Sequence, residues 1–165
     1  MPTLDLATLT PVELHYHVGK LLSDYVECID DDRLEEWPDF FVENCLYQVI
    51  SRENADRGLP TSAMYCDSRG MLRDRVVALR HANIYAKHYY RHLLSNVNIK
   101  GVQDGELVVR SNYVVLQTLV EGDTKVFNAG KYLDRIVVTA EGLRFASKVV
   151  VFDTYRVQNL LVTPL

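Results

Sequence analysis

The chain has 165 residues, 48% of them hydrophobic and 24% charged, which suits one globular domain and excludes a disordered chain. Its 18 Lys and Arg against 22 Asp and Glu leave a net charge of −4, a poor basis for gripping a nucleic-acid backbone.

The first helix is marked by Thr10-Pro11-Val12-Glu13, an N-cap, an N1 proline and a capping-box glutamate. Leu14, Val18, Leu21, Leu22, Tyr25 and Ile29 recur at helical spacing, with Glu13, His17, Lys20, Asp24 and Glu27 opposite. Asp30-Asp31-Asp32 should stop this helix and cap a short second one, Arg33 to Trp37, that Pro38 cuts. Cys45 to Ser51 reads as a strand with Cys45, Tyr47 and Val49 on one face, and RENADRGLP (52–60) as a polar loop. Trp37, Phe40, Phe41 and Tyr47 are expected to form one buried cluster. After a short extended piece, Thr61 to Cys66, Asp67 or Ser68 caps a third helix with the stripe Leu72, Val76 and Leu79.

From Arg91 onward the pattern is extended. Strands are expected at 91–101, 106–120, 124–139 and 143–157, joined by Gln103-Asp104-Gly105, Glu121-Gly122-Asp123 and Ala140-Glu141-Gly142. Short glycine-containing links between long β-rich runs signal consecutive antiparallel hairpins. Strands of such length, about 50 Å at ~3.3 Å per residue, must twist and curl, with bulges expected near Gly130 and Asn112. The predicted fold class is α+β: a curved antiparallel sheet forming a cone around N-terminal helices. Leu107-Val108-Val109 and Val149-Val150-Val151-Phe152 are apolar at both parities, so the sheet's outer face is expected to be covered by another chain.

The sequence offers little for chemistry of its own. It has no Cys-x-His or Cys-x-x-His pair for a Rieske cluster. His88 and His92 have the i, i+4 spacing of helical metal ligands but fall where a strand begins, so no metal site is assigned. Cys28, Cys45 and Cys66 lack CxxC spacing and fit buried thiols in a reducing cytoplasm. There is no nucleophile elbow, P-loop or dinucleotide fingerprint. Tyr16, Asp24, Tyr47 and His81 are the residue types that could line an acid–base pocket inside a cone. Arg69, Arg73 and Arg80 share a face of the third helix near Arg75, as a solvated face partnered by Asp67 and Asp74 or as a docking surface. No membrane span and no signal peptide are expected: the longest aliphatic runs fall far short of ~18 residues, and MPTLDLATLTP lacks a basic and an apolar region.

Several stretches resemble the small (beta) subunit of aromatic-ring-hydroxylating dioxygenases: Asp30 to Tyr47 (DDDRLEEWPDFFVENCLY), Asp67 to Leu79 (DSRGMLRDRVVAL), Arg91 to Val97 (RHLLSNV) and Leu161 to Leu165 (LVTPL), in this order and spacing. The 52–60 loop and the last residues are most similar to subunits of oxygenases for monocyclic aromatic acids, such as benzoate, anthranilate, salicylate and terephthalate. The resemblance implies a nuclear-transport-factor-like, cystatin-like cone as one domain over 1–165, in the cytoplasm. It implies assembly as a trimer with a large (alpha) catalytic subunit. That partner would carry the Rieske 2Fe–2S cluster and the mononuclear iron, and this chain no cofactor, metal or catalytic residue. Trp37, Tyr47, Arg73, Arg75, Arg91 and Asn96 are its candidate structural and interface residues. The competing reading is a free-standing dehydratase or isomerase on the same cone, and a third is a small-ligand-binding module, which would show a cavity without an acid–base pair. A structural subunit should plug the cone with aromatic side chains, whereas an enzyme should keep an open cavity with a convergent acid–base pair.

Overall fold

A computed structural model describes residues 6, 8–82, 85–155, 161 and 163–165. Helix α1 (Pro11–Asp30) starts as the sequence dictates: the Thr10 hydroxyl accepts from the Glu13 N–H, and the Glu13 carboxylate accepts from the Thr10 N–H at 2.9 Å. Val18, Leu21, Leu22, Tyr25 and Ile29 form its buried face, extended by Val26 and Cys28. Pro38 does not cut a helix over 33–37. It sits inside the first turn of a 3₁₀ segment, Trp37–Phe40, where a missing amide costs nothing.

Strand β1 (Phe41–Ser51) begins four residues before the expected start, and the polar loop opens with a helical turn, α2 (Arg52–Asp56), capped by the Ser51 hydroxyl. The short β2 (Met64–Cys66) follows, then α3 (Arg69–His81), whose N-cap is Ser68 and whose buried stripe is Leu72, Val76 and Leu79. The second half is four long strands: β3 (His88–Gln103), β4 (Glu106–Leu119), β5 (Thr124–Thr139) and β6 (Gly142–Phe152).

The six strands form one sheet in the order β2-β1-β6-β5-β4-β3. All neighbours are antiparallel except β1 and β6, which run parallel, Tyr47 facing Lys148 and Val49 facing Val150. The sheet is thus mixed, because β1 lies on the far side of the helical connections from the hairpins. Its curl comes from bulges, one opening at the Ser95–Asn112 pair and one at Phe127, three residues before Gly130, close to the two expected positions. Asn96 and Val97 together oppose Ser111, with Asn96 left-handed (φ 52), and Lys100, Phe127 and Ala146 are further extra residues. Gly130 is not a bulge but a point of contact: a Cβ there would stand 2.0 Å from the Val151 carbonyl oxygen. Along β4, burial alternates cleanly, with Leu107, Val109, Tyr113 and Val115 inward. The outward face still carries Leu93, Val108, Val114, Leu116, Val126 and Leu133, of which Leu93 and Val126 are well exposed.

Candidate functional site

The inner end of the cone is aromatic. Tyr25 of α1 meets Phe40, Phe41, Tyr132 and Phe145 edge-on, with ring centroids 5.4–6.5 Å apart. Trp37 stands against Tyr47 at 5.0 Å and Phe41 at 5.9 Å. Trp37, Phe41 and Tyr47 are fully buried, as the expected cluster requires, while Phe40 is only partly buried. The cone is closed by a residue distant in sequence. Leu165 is fully buried; its main-chain oxygen accepts from the Tyr25 hydroxyl at 2.8 Å and the Tyr47 hydroxyl at 3.2 Å, and its N–H donates to Tyr47 Oη at 2.9 Å. Burial pushes both phenols well above the ordinary tyrosine range.

Two polar pairs lie inside, one of them an ion pair. Lys148 and Asp134, on neighbouring strands, have no exposed side-chain surface, and Nζ is 3.1 Å from both carboxylate oxygens. The ammonium also sits over the rings of Tyr132 (3.8 Å), Tyr25 (4.5 Å) and Phe145 (4.5 Å). Burial lowers the lysine pKa and raises that of the aspartate, and the partner opposes each shift. The second pair fastens α1 to β3: Asp30 accepts from the His92 main-chain N–H at 2.8 Å and lies 2.6 Å from its Nδ1.

The residues weighed for acid–base work are not gathered. Tyr16 and His81 are exposed, Asp24 pairs with Lys20 on the helix surface at 2.7 Å, and Tyr47 holds Leu165. A cleft of about 400 Å³ between α1, the 3₁₀ segment and the β5–β6 turn includes Asp24 but not the other three. His88 and His92 both lie on β3, about 13 Å apart at ~3.3 Å per residue, and His92 is committed to Asp30. Among the described residues, no three His, Cys, Asp or Glu side chains come together as metal ligands. Burial raises the thiols of Cys28 and Cys45 to about 11 and that of Cys66 in the same direction.

The interface candidates scatter. Trp37 and Tyr47 are in the cone, and Arg75 is half-buried beside Tyr47, with its Nε buried and unpartnered. Arg73 is exposed near Asp39 (4.0 Å), Arg91 near Asp31 (3.9 Å), and Asn96 marks the β3 bulge. The α3 arginines do not use Asp67 or Asp74. Arg69 donates to the Phe41 carbonyl at 2.9 Å, and Arg80 bridges Asp32 (2.9 Å) and Glu35 (2.8 Å). The partners come from the segment between α1 and β1, because α3 packs on that segment.

Residues 25–159 match the family model described as the ring hydroxylating beta subunit. The chain belongs to that family. It is similar to the anthranilate 1,2-dioxygenase small subunit of Burkholderia cepacia, with 49% identity over 91% of this chain and 93% of the relative. It is 37% identical to a beta subunit of the terephthalate 1,2-dioxygenase oxygenase component of Comamonas, over 86% and 92%. A solved beta subunit assigned to an aromatic-ring-hydroxylating dioxygenase of Novosphingobium aromaticivorans superposes with a TM-score of 0.83 at 46% identity, covering 92% of this chain and 97% of that one. A structure assigned as a scytalone dehydratase from the same organism shares only the fold, at a TM-score of 0.69 and 18% identity over 90% and 92%. This beta subunit therefore has the nuclear-transport-factor-like cone. No helix among the described residues is long and apolar enough to cross a membrane.

Proposed function

We propose that this beta subunit is a non-catalytic structural component of an aromatic-ring-hydroxylating dioxygenase for a monocyclic aromatic acid, acting in the cytoplasm. The observation that carries the reading is the filled cone: Tyr25, Trp37, Phe41, Tyr47, Tyr132 and Phe145 are packed together and capped by Leu165. The relatives named above, dioxygenase subunits for anthranilate and terephthalate, support the substrate class. The Rieske cluster and the mononuclear iron belong, on this reading, to the large alpha subunit. The beta subunit forms a trimer on which the alpha subunits assemble, its apolar outer sheet face packing against other copies; burying such a face gives association its driving force.

The test is co-expression with an alpha subunit bearing both metal sites. Light scattering should give a trimer-containing assembly for the pair. Ring oxidation should require the alpha subunit's metal ligands and survive Tyr16→Phe, Asp24→Asn and His81→Gln in this chain. A monomeric beta subunit that oxidises, dehydrates or isomerises an aromatic acid by itself would overturn the reading.

A further inference from the structure

A closed trimer of one chain is a ring in which each copy meets the next through two different surfaces, so the trimer proposed above requires a complementary pair of patches on this subunit. The outer sheet face carries the first. At its β3 edge lies a hollow of about 420 Å³ whose walls include Asn96, Asn98, Lys100, Arg110 and Asn112. Asn98 stands opposite Arg110, and Asn112 opposite Lys131. In a chain of net charge −4, Lys100, Arg110 and Lys131 form no ion pair among the described residues, whereas Arg135 on the same face holds Asp104 and Glu106. The second patch is a hairpin turn. The turn acids Asp104 and Glu141 are engaged, by Arg135 and by the Thr139 hydroxyl. In the β4–β5 turn, Glu121 and Asp123 are exposed, and neither side chain forms an ion pair or hydrogen bond among the described residues. Val120 and Val126 flank these acids at 59% and 63% exposure. Val126 continues the apolar outer face beside Leu116, and Lys125 alternates to the other face. Arg110 and Glu121 are eleven residues apart, about 36 Å at ~3.3 Å per residue, so the turn cannot reach the hollow of its own copy.

We propose that the β4–β5 turn of one copy seats in the asparagine-lined hollow of the next, Glu121 and Asp123 meeting Lys100 and Arg110, with Val120 and Val126 laid on the apolar face beside it. The asparagine amides add N–H donors for the carboxylates without adding charge, and paired charges of this kind fix register and exclude wrong partners more than they add affinity. This contact rests on the trimer reading and gives the ring a direction, head to tail along β4.

The experiment uses the full chain co-expressed with an alpha subunit. Cys28, Cys45 and Cys66 are buried, so thiols introduced at the surface are read cleanly. With Asn98→Cys and Asp123→Cys in one chain, mild oxidation should link beta chains into two-chain and three-chain species on a non-reducing gel. The yield should be at least about tenfold that of either single variant, because only seated positions fall within the short reach of a disulfide. Independently, Lys100→Glu with Arg110→Glu should raise the concentration at which the assembly half-dissociates by at least about tenfold, since like charges then face each other. Adding Glu121→Lys with Asp123→Lys should restore it. A trimer-containing assembly that gives no beta–beta link, or that links this chain to the alpha subunit alone, overturns the contact and leaves the trimer standing. So does a charge reversal that the compensating pair does not rescue. An assembly without a beta trimer overturns both. If the cysteine pair prevents assembly, the charge variants decide alone.

Discussion

Cutting the Lys148–Asp134 pair on one side should cost far more than removing it whole. With Nζ at 3.1 Å from each oxygen and no exposed side-chain surface, the Coulomb attraction is about 5 kcal/mol at an effective dielectric of ~20. Desolvation of two buried ions, several kcal/mol each, cancels most of that. The intact pair is thus near neutral for stability. Asp134→Leu strands an ammonium among three rings, and Lys148→Met strands a carboxylate; each should cost about 3–5 kcal/mol, while the double variant should recover most of the loss. The sign of the pH effect follows. In Asp134→Leu the lysine, already lowered by burial, loses the partner that raised it. The folded state then binds fewer protons than the unfolded one. Stability should rise with pH, by up to about 1.4 kcal/mol per unit, until the unfolded lysine titrates near ~10.4. Urea denaturation of the four proteins across a pH series measures this. A coupling below about 0.5 kcal/mol, the range of independent sites, with a flat pH profile, would refute the reasoning.

Trp37→Ala should destabilise by about 3–5 kcal/mol as a buried aromatic truncation, and a loss under about 1 kcal/mol would put the ring at the surface. Gly130→Ala should abolish soluble expression or lower stability by at least about 4 kcal/mol, since its Cβ would lie 2.0 Å from main-chain oxygen; an unchanged melting temperature would contradict the close approach. Cys28 and Cys45 should resist a thiol-specific disulfide reagent at neutral pH in the native protein and react once it is unfolded in urea. Their native pKa of about 11 lies above the unfolded value of ~8.5, so their contribution is present below that value and lost as pH rises through 11. Rapid native labelling would contradict their burial.

The elements were legible where local chemistry decides them: the Thr10 capping box, the α1 and α3 stripes and the three glycine-containing hairpin links. Bulges were legible in their neighbourhood but not in their exact residue or strand, because an inserted residue depends on how neighbouring strands register, and Asn96 and Phe127 carry no local mark of it. The aromatic cluster could be read from the density of rings around Pro38, but not what covers it; the Tyr25 and Tyr47 contacts with Leu165 span more than a hundred residues. The buried pair left a signal of period two. Asp134 stands between Tyr132 and Ile136 on an inward-facing row, where a charge demands a partner. Its partner Lys148 is out of phase with Phe145 by the inserted Ala146, which hides the match. The arginine partners on α3 are not its sequence neighbours Asp67 and Asp74 but residues of the segment the helix packs on, which no local pattern marks.

The parallel seam between β1 and β6 sets an order in time. Trp37, Phe41 and Tyr47 leave the ribosome early, but their covering strand and Leu165 come much later, Leu165 following Tyr47 by 118 residues. At the usual ~5–20 residues per second of synthesis, that interval lasts about 6–24 s. Through it the nascent chain holds an unsheltered aromatic surface and an unpaired strand edge, the features that recruit chaperones. The cone cannot close stepwise from its N-terminal end. It must close late, in one event joining the two ends of the chain, with loop-closure entropy making that event slow.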